Sequence, residues 1–268
     1  MDRVQMPPAF KRRLGTGGLT RSSSDVDAYE RKICDDENKK PGNLTGYDCP
    51  VCRNKGYVME YRDRRRICIR CGCMDARASI QRAAESGLQD LLRDYTLDTY
   101  QTVEPWQAAA KKAAERYLEA PAGWFVASGA VGSGKSHLCV AICGELLMQG
   151  RAVRYLMWRD QINRLKAFTD PEERDALLKT YKTADVLYID DFLKCGRNEQ
   201  PTKADLDTAL EVIMARYNQP GKLTILSTER SVEELLDLDE ALGSRVFERS
   251  KGHYLRFTGT DKNWRLRR

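Results

Sequence analysis

The segment GAVGSGKS, Gly129 to Ser136, fits the pattern G-x-x-x-x-G-K-[ST] throughout, and it lies between a strand-like WFVAS and an amphipathic HLCVAICGELLMQ. That combination suits a polyphosphate. Glycines at 129, 132 and 134 let the backbone wrap so that its N–H groups, including that of Ser133, converge on phosphate oxygens, and the following helix turns its positive end to the same point. Lys135 adds a mobile cation for the β- and γ-phosphates, and the Ser136 hydroxyl can ligate magnesium. His137 comes next on the helix, placed to meet the nucleotide or to pack beside it.

VLYIDDF, Val186 to Phe192, puts two acids at the end of an apolar strand. Asp190 is placed to hold magnesium, directly or through water, and Asp191 to orient and deprotonate an attacking water. The expected chemistry is ATP hydrolysis with Mg2+.

A third group is built of sulfur. Five of the nine cysteines fall between Cys49 and Cys73, where a reducing compartment favours metal ligation over disulfides. Cys49 with Cys52 and Cys68 with Cys71 form two C-x-x-C pairs separated by 15 residues, a Zn2+ spacing, and Cys73 is a fifth thiol, so four of the five hold the ion. Such a site is closed to water and therefore structural, and in so small a unit the ion supplies much of the folding energy. Arg62, Arg64, Arg65 and Arg66 between the pairs and Arg70 within the second pair form a basic run beside Tyr57 and Tyr61, as a solvated hairpin tip or a nucleic-acid contact.

The elements that must position these residues follow from periodicity. Apolar strands predicted at 124–128, 153–157, 186–190, 224–227 and 254–257 alternate with helices at 135–149, 158–168, 172–183, 203–217, 232–236 and 240–248. That alternation predicts an α/β fold, a mostly parallel sheet with helices on both faces. The chain divides into a flexible arm with a short helix capped by Ser24 (1–44), a zinc-ribbon-like module (45–75), a linker helix (76–87) and an ATPase domain (88–268). The 268 residues are 41% hydrophobic and 31% charged, a composition with enough apolar surface for a packed core. The formal charge is +6, and residues 1–95 carry 19 basic against 14 acidic side chains, compatible with nucleic-acid contact or a solvated surface. No apolar run approaches the roughly 18 residues that span a bilayer, and the first residues lack the apolar stretch of a signal peptide, so a cytoplasmic protein with no membrane partner is expected.

Several further segments occur in a telling order: GLQDLLRDYTLDTYQ (87–101), the phosphate loop, the Asp-Asp strand end, PTKADLDTALEVIMARYN (201–218), TILSTE (224–229), EALGSRVFE (240–248) and NWR (263–265). Together they resemble the DnaC/DnaI-type replicative helicase loaders of bacteria and phages, a branch of the AAA+ ATPases related to the IstB transposition ATPase. The resemblance covers roughly residues 45–268. It implies that Arg245 is an arginine finger acting in trans on a neighbouring subunit, that Arg265 is a sensor II residue, and that Ser227, Thr228 or Glu229 supplies sensor I, with Thr228 facing the nucleotide. It also implies a lid that is reduced or absent after Phe257, and a C-x-C-M pattern in which Cys71 and Cys73 form the second zinc pair and Cys68 is spare.

The implied function is ATP-dependent loading of a replicative hexameric helicase onto single-stranded DNA by a self-associating protein. An IstB-like ATPase acting on duplex DNA, and an adaptor gated by nucleotide with little turnover, are the alternatives; Asp191, one methylene shorter than the glutamate common at that position in AAA+ proteins, supports the second.

Overall fold

The computed structural model describes residues 23–85, 88–196 and 199–266. Contacts divide the chain into two units, residues 1–72 and 73–268.

In the N-terminal unit, helix α1 (Ser23–Lys39) precedes a hairpin of β1 (Tyr57–Arg62) and β2 (Arg65–Arg70). The expected cap at Ser24 falls inside the helix, which starts one residue earlier, and most of the preceding arm lies outside the described residues. Asp63 and Arg64 both have positive φ, the backbone of a tight two-residue hairpin turn that follows the twist of the strands. α1 packs on this hairpin. Asn38 both donates to and accepts from the Met59 backbone at 2.8 Å, the Tyr61 hydroxyl donates to Asp27 at 2.9 Å, and Arg66 pairs with Glu30 at 2.9 Å.

The second unit starts with α2 (Cys73–Glu85), α3 (Gln89–Asp94) and α4 (Pro105–Glu119), the last two absent from the sequence reading. Pro105 at the first position and the reciprocal Glu104–Gln107 capping box explain why α4 begins where it does. α2, expected as a linker, packs on β4 (Val153–Met157) and on α5 (Lys135–Met148). β3 (Trp124–Gly129) runs into α5; then come β4, α6 (Trp158–Ala167), α7 (Pro171–Thr183), β5 (Val186–Asp190), α8 (Lys203–Tyr217), β6 (Leu223–Thr228), α9 (Val232–Leu238), α10 (Glu240–Arg249) and β7 (Tyr254–Phe257).

The five strands β3 to β7 form one parallel sheet in the order β4-β5-β6-β3-β7. Its faces are read directly from strand alternation. Phe125, Ala127, Val186, Tyr188 and Ile225 join α4 and α5 in one core, through Ala110, Ala114, Tyr117, Leu138 and Ile142. Trp124, Val126, Leu187, Ile189 and Leu226 join α6 to α10 in a second core, through Ile162, Leu178, Val212, Leu235 and Val246. Burial on both faces accounts for strands that read as continuous apolar runs. Beyond β7 the described chain forms only short 3-10 turns, at Thr260–Lys262 and Trp264–Leu266. No helix among the described residues is long and apolar enough to cross a membrane.

Candidate functional site

The strand order sets the site. β3 and β5 are not neighbours, because β6 lies between them, so the phosphate loop and the two acids approach each other across the end of β6. Gly129, Gly132 and Gly134 all have positive φ, from 70° to 108°, which lets the loop curl into the start of α5. A side chain at Gly129 would run into the Phe257 backbone, whose carbonyl accepts from Ala130 N–H at 2.8 Å. Ser133 is buried and donates to the Ala130 carbonyl at 2.8 Å.

Lys135 is 7% exposed, and its ammonium donates to the Gly129 and Ala130 carbonyls at 2.8 and 2.7 Å. Burial lowers its pKa, while the nearby carboxylates of Glu229 and Asp191 oppose the shift. Ser136 Oγ donates to Asp190 Oδ1 at 2.9 Å, and the same carboxylate accepts from Ser227 Oγ at 2.5 Å and Tyr155 OH at 3.1 Å. A hydroxyl and a carboxylate held together by two further donors form an oxygen donor set suited to a hard cation such as magnesium.

Asp191 has φ 53°, in the left-handed region, and its N–H donates to Ser227 Oγ at 3.0 Å. Its carboxylate is 3.0 Å from the Lys194 ammonium, which also pairs with Glu229 at 2.8 Å. Desolvation pulls the Lys194 pKa down, but hydrogen bonds to both acids leave it raised on balance. Phe192 and Leu193, fully buried, anchor the turn that carries the pair.

These groups open onto a cavity of about 970 Å³, lined by the phosphate loop from Val131 to His137, by Asp191, Lys194 and Glu229, by residues of the 95–101 segment, and by Trp264 and Arg265. Gly132, Ser133, Gly134, Lys135, Ser136, His137, Asp191 and Arg265 of the sequence reading therefore line one space, and Asp190 is bonded into its wall. Thr228 is turned away: it is buried, and its hydroxyl donates to the Phe192 carbonyl at 2.9 Å, so the neighbours Ser227 and Glu229 are the residues of that strand end at the site. Arg245 lies on α10 outside the cavity, donating to the Ala241 carbonyl at 2.7 Å with its guanidinium 5.4 Å from the Tyr217 ring centre.

His137 does a job the sequence did not show. Its ring stacks on Tyr95 at 4.8 Å, meets Tyr100 edge-on at 5.2 Å, and lies with Nε2 2.9 Å from the Thr96 carbonyl. A carbonyl partner requires the proton on Nε2. Burial lowers this imidazole's pKa, opposed by the Thr96 bond. The histidine thus fastens the 95–100 segment to α5, giving the cavity an aromatic wall. Tyr95, Tyr100, Lys194 and Trp264 were missed because nothing in local spacing ties them to a loop dozens of residues away.

The sulfur atoms of Cys49, Cys52, Cys71 and Cys73 all lie within 4.8 Å of one another, and all four residues are buried. Four thiolates about 2.3 Å from a tetrahedral zinc stand about 3.8 Å apart, and Cys49 and Cys71 Sγ are separated by 3.8 Å. The Gly56 N–H donates to Cys52 Sγ at 3.3 Å, a contact that supports thiolate character. Of the two thiols left open as the fourth ligand, Cys73 joins the cluster, whereas Cys68 sits within β2 opposite Met59 and is exposed. Cys71 follows the strand end and Cys73 opens α2, where the chain can turn both sulfurs together.

Comparison with known proteins agrees with this architecture. The bacterial DnaA ATPase domain matches residues 91–250. The phage-like element PBSX protein XkdC of Bacillus subtilis is 30% identical over 219 residues, 75% of this chain and 79% of that protein. The replicative helicase loader DnaC of Escherichia coli is 28% identical over 171 residues, 62% of this chain and 66% of the loader. A crystal structure of the DnaC helicase loader superposes with TM-score 0.52 at 25% identity, covering 62% of this chain and 96% of that one. DnaA bound to AMPPCP and single-stranded DNA shares the fold, at TM-score 0.51 and 22% identity, over 63% of this chain and 51% of that one. With a parallel sheet, a phosphate loop and an acidic strand end in these positions, the chain belongs to the bacterial DnaA ATPase domain family and also resembles the DnaC helicase loader in sequence and DnaI in fold.

Proposed function

We propose that this protein is an ATP-dependent loader that places a replicative hexameric helicase on single-stranded DNA. The observation that carries the reading is the meeting of Lys135, Ser136, Asp190 and Asp191 at one cavity, in a chain that aligns with a DnaC loader over 171 residues. ATP would lie with its phosphates on Gly129–Ser136 and its base toward Tyr95 and Tyr100. Bound magnesium, held by Ser136 and Asp190, would neutralise charge on the β- and γ-phosphate oxygens. Ser227 and Tyr155 keep the Asp190 carboxylate in place, Lys135 binds the phosphates, and Asp191 takes the proton of the attacking water. Arg245, outside its own cavity, would reach the γ-phosphate of a neighbouring copy, which makes assembly part of turnover. Arg265 contacts the nucleotide from within the same chain. Zn2+ on Cys49, Cys52, Cys71 and Cys73 would fold the N-terminal module that holds the helicase.

One observation favours a second reading. The Lys194 ion pair occupies Asp191, as suits an adaptor in which nucleotide switches binding with little turnover.

Native mass spectrometry of the protein with its host's replicative helicase, ATP and magnesium tests the proposal, with Lys135→Ala as control. A complex of helicase and several copies of this chain supports loading. Its absence under every nucleotide condition, with the helicase hexamer intact, rejects it.

A further inference from the structure

The last described residues pack directly against the phosphate loop. The Trp264 backbone N–H donates to the Gly132 carbonyl at 3.0 Å, and its indole Nε1–H donates to Gln101 Oε1 at 2.7 Å. The approach is close: Gly132 has φ 70°, and a Cβ there would strike the Asn263 side chain. Gln101, Gly132 and Trp264 all line the cavity, from three segments far apart in the chain. Lys262 lies 5.2 Å from the Trp106 ring centre and adds a second tie to the start of α4.

We propose that Trp264 is a positioning residue that clamps the phosphate loop to the 95–101 segment and thereby sets how long nucleotide stays bound. The inference rests on reading the cavity as the nucleotide site. The Gly132 carbonyl and the Ser133 N–H belong to one planar trans peptide and point in opposite directions, so a donor on the carbonyl fixes the aim of that N–H. The indole bond draws the 95–101 segment toward the same loop. Ligand held between the two is released only when one of them moves. The clamping residues sit in short 3-10 turns outside the sheet, the kind of segment that opens at low cost relative to the core.

The test is the dissociation rate of methylanthraniloyl-ADP with magnesium from the full chain, measured by stopped flow on wild type, Trp264→Phe, Gln101→Leu, the double variant and Lys135→Ala. Trp264→Phe keeps a ring but removes the indole donor, and Gln101→Leu removes the acceptor from an exposed position. Each single variant is expected to release nucleotide about fivefold faster, as loss of one hydrogen bond would give. The double variant should be no faster than either single, and the unfolding midpoint without nucleotide should not move. Wild-type rates in both singles, or a double variant whose effect is the product of the two, overturn the clamp. If wild type itself binds no nucleotide, the reading of the site and the clamp fall together; if wild type binds, Lys135→Ala does not, and both clamp variants match wild type, the site stands and the clamp alone is wrong.

Discussion

Ser136 Oγ donates to Asp190 Oδ1 at 2.9 Å, joining the first turn of α5 to the end of β5, a strand that is not adjacent to the one leading into the loop. If this pair holds magnesium, Ser136→Ala and Asp190→Asn each lower steady-state ATP turnover about 100-fold or more, the scale of losing one preorganised electrostatic group. Phosphate-release assays check it, and nucleotide binding without metal should change little in either variant.

Lys194 donates to Asp191 Oδ2 at 3.0 Å and so competes for the carboxylate proposed to take the water's proton. Lys194→Met is therefore expected to raise turnover about threefold to tenfold, as general-base catalysis by a freed carboxylate allows. The gain should vanish when Asp191→Asn is added. Turnover that stays at background in wild type and in both variants would favour the adaptor reading.

Arg245 sits on α10 away from its own cavity. Neither Arg245→Ala nor Lys135→Ala should hydrolyse ATP alone. Mixing them should restore part of the rate, since some interfaces then pair an intact loop with an intact arginine. A mixture as inactive as its components would place Arg245 outside the trans role.

The cysteine cluster separates two ligand sets. Cys71→Ser and Cys73→Ser should each lose bound zinc, whereas Cys68→Ser should retain one ion per chain, read by elemental analysis and by thiol-triggered zinc release. Chelation should also cost the N-terminal unit its fold, seen as loss of amide protection in α1 and the β1–β2 hairpin.

Arg216 is fully buried and donates to Thr224 Oγ1 at 2.8 Å, to the Ala184 carbonyl at 2.9 Å, and to the Leu223 carbonyl. Burial depresses its pKa to about 10. Arg216→Met leaves those acceptors unpaired and should destabilise the second unit by about 3 kcal/mol, measured by urea unfolding.

Local patterns announced the parts of the site that are contiguous. The phosphate loop, the Asp190–Asp191 strand end and α8 are each written in adjacent residues, because glycine torsions, strand burial and helix capping act over a few positions. α4 escaped notice although Pro105 and its capping box mark it, since its buried face is mostly alanine and shows weak apolar contrast. What local spacing left open were choices among chemically equivalent neighbours. Cys68 and Cys73 are both thiols near Cys71, and only strand alternation, which points Cys68 outward, separates them. Ser227, Thr228 and Glu229 are all polar, and the pleat sends Ser227 to Asp190 but Thr228 to Phe192.

By itself, then, the sequence determined the phosphate loop with its acidic strand end, the α/β sheet and the presence of a sulfur cluster, because those depend on residue type and short-range geometry. Tertiary structure decided which side chains line the cavity beside the phosphate loop. β6 inserts between β3 and β5, α5 draws Tyr95 and Tyr100 in through His137, and Trp264 closes against Gly132 from 132 positions away, since long-range packing and not sequence distance determines which groups meet.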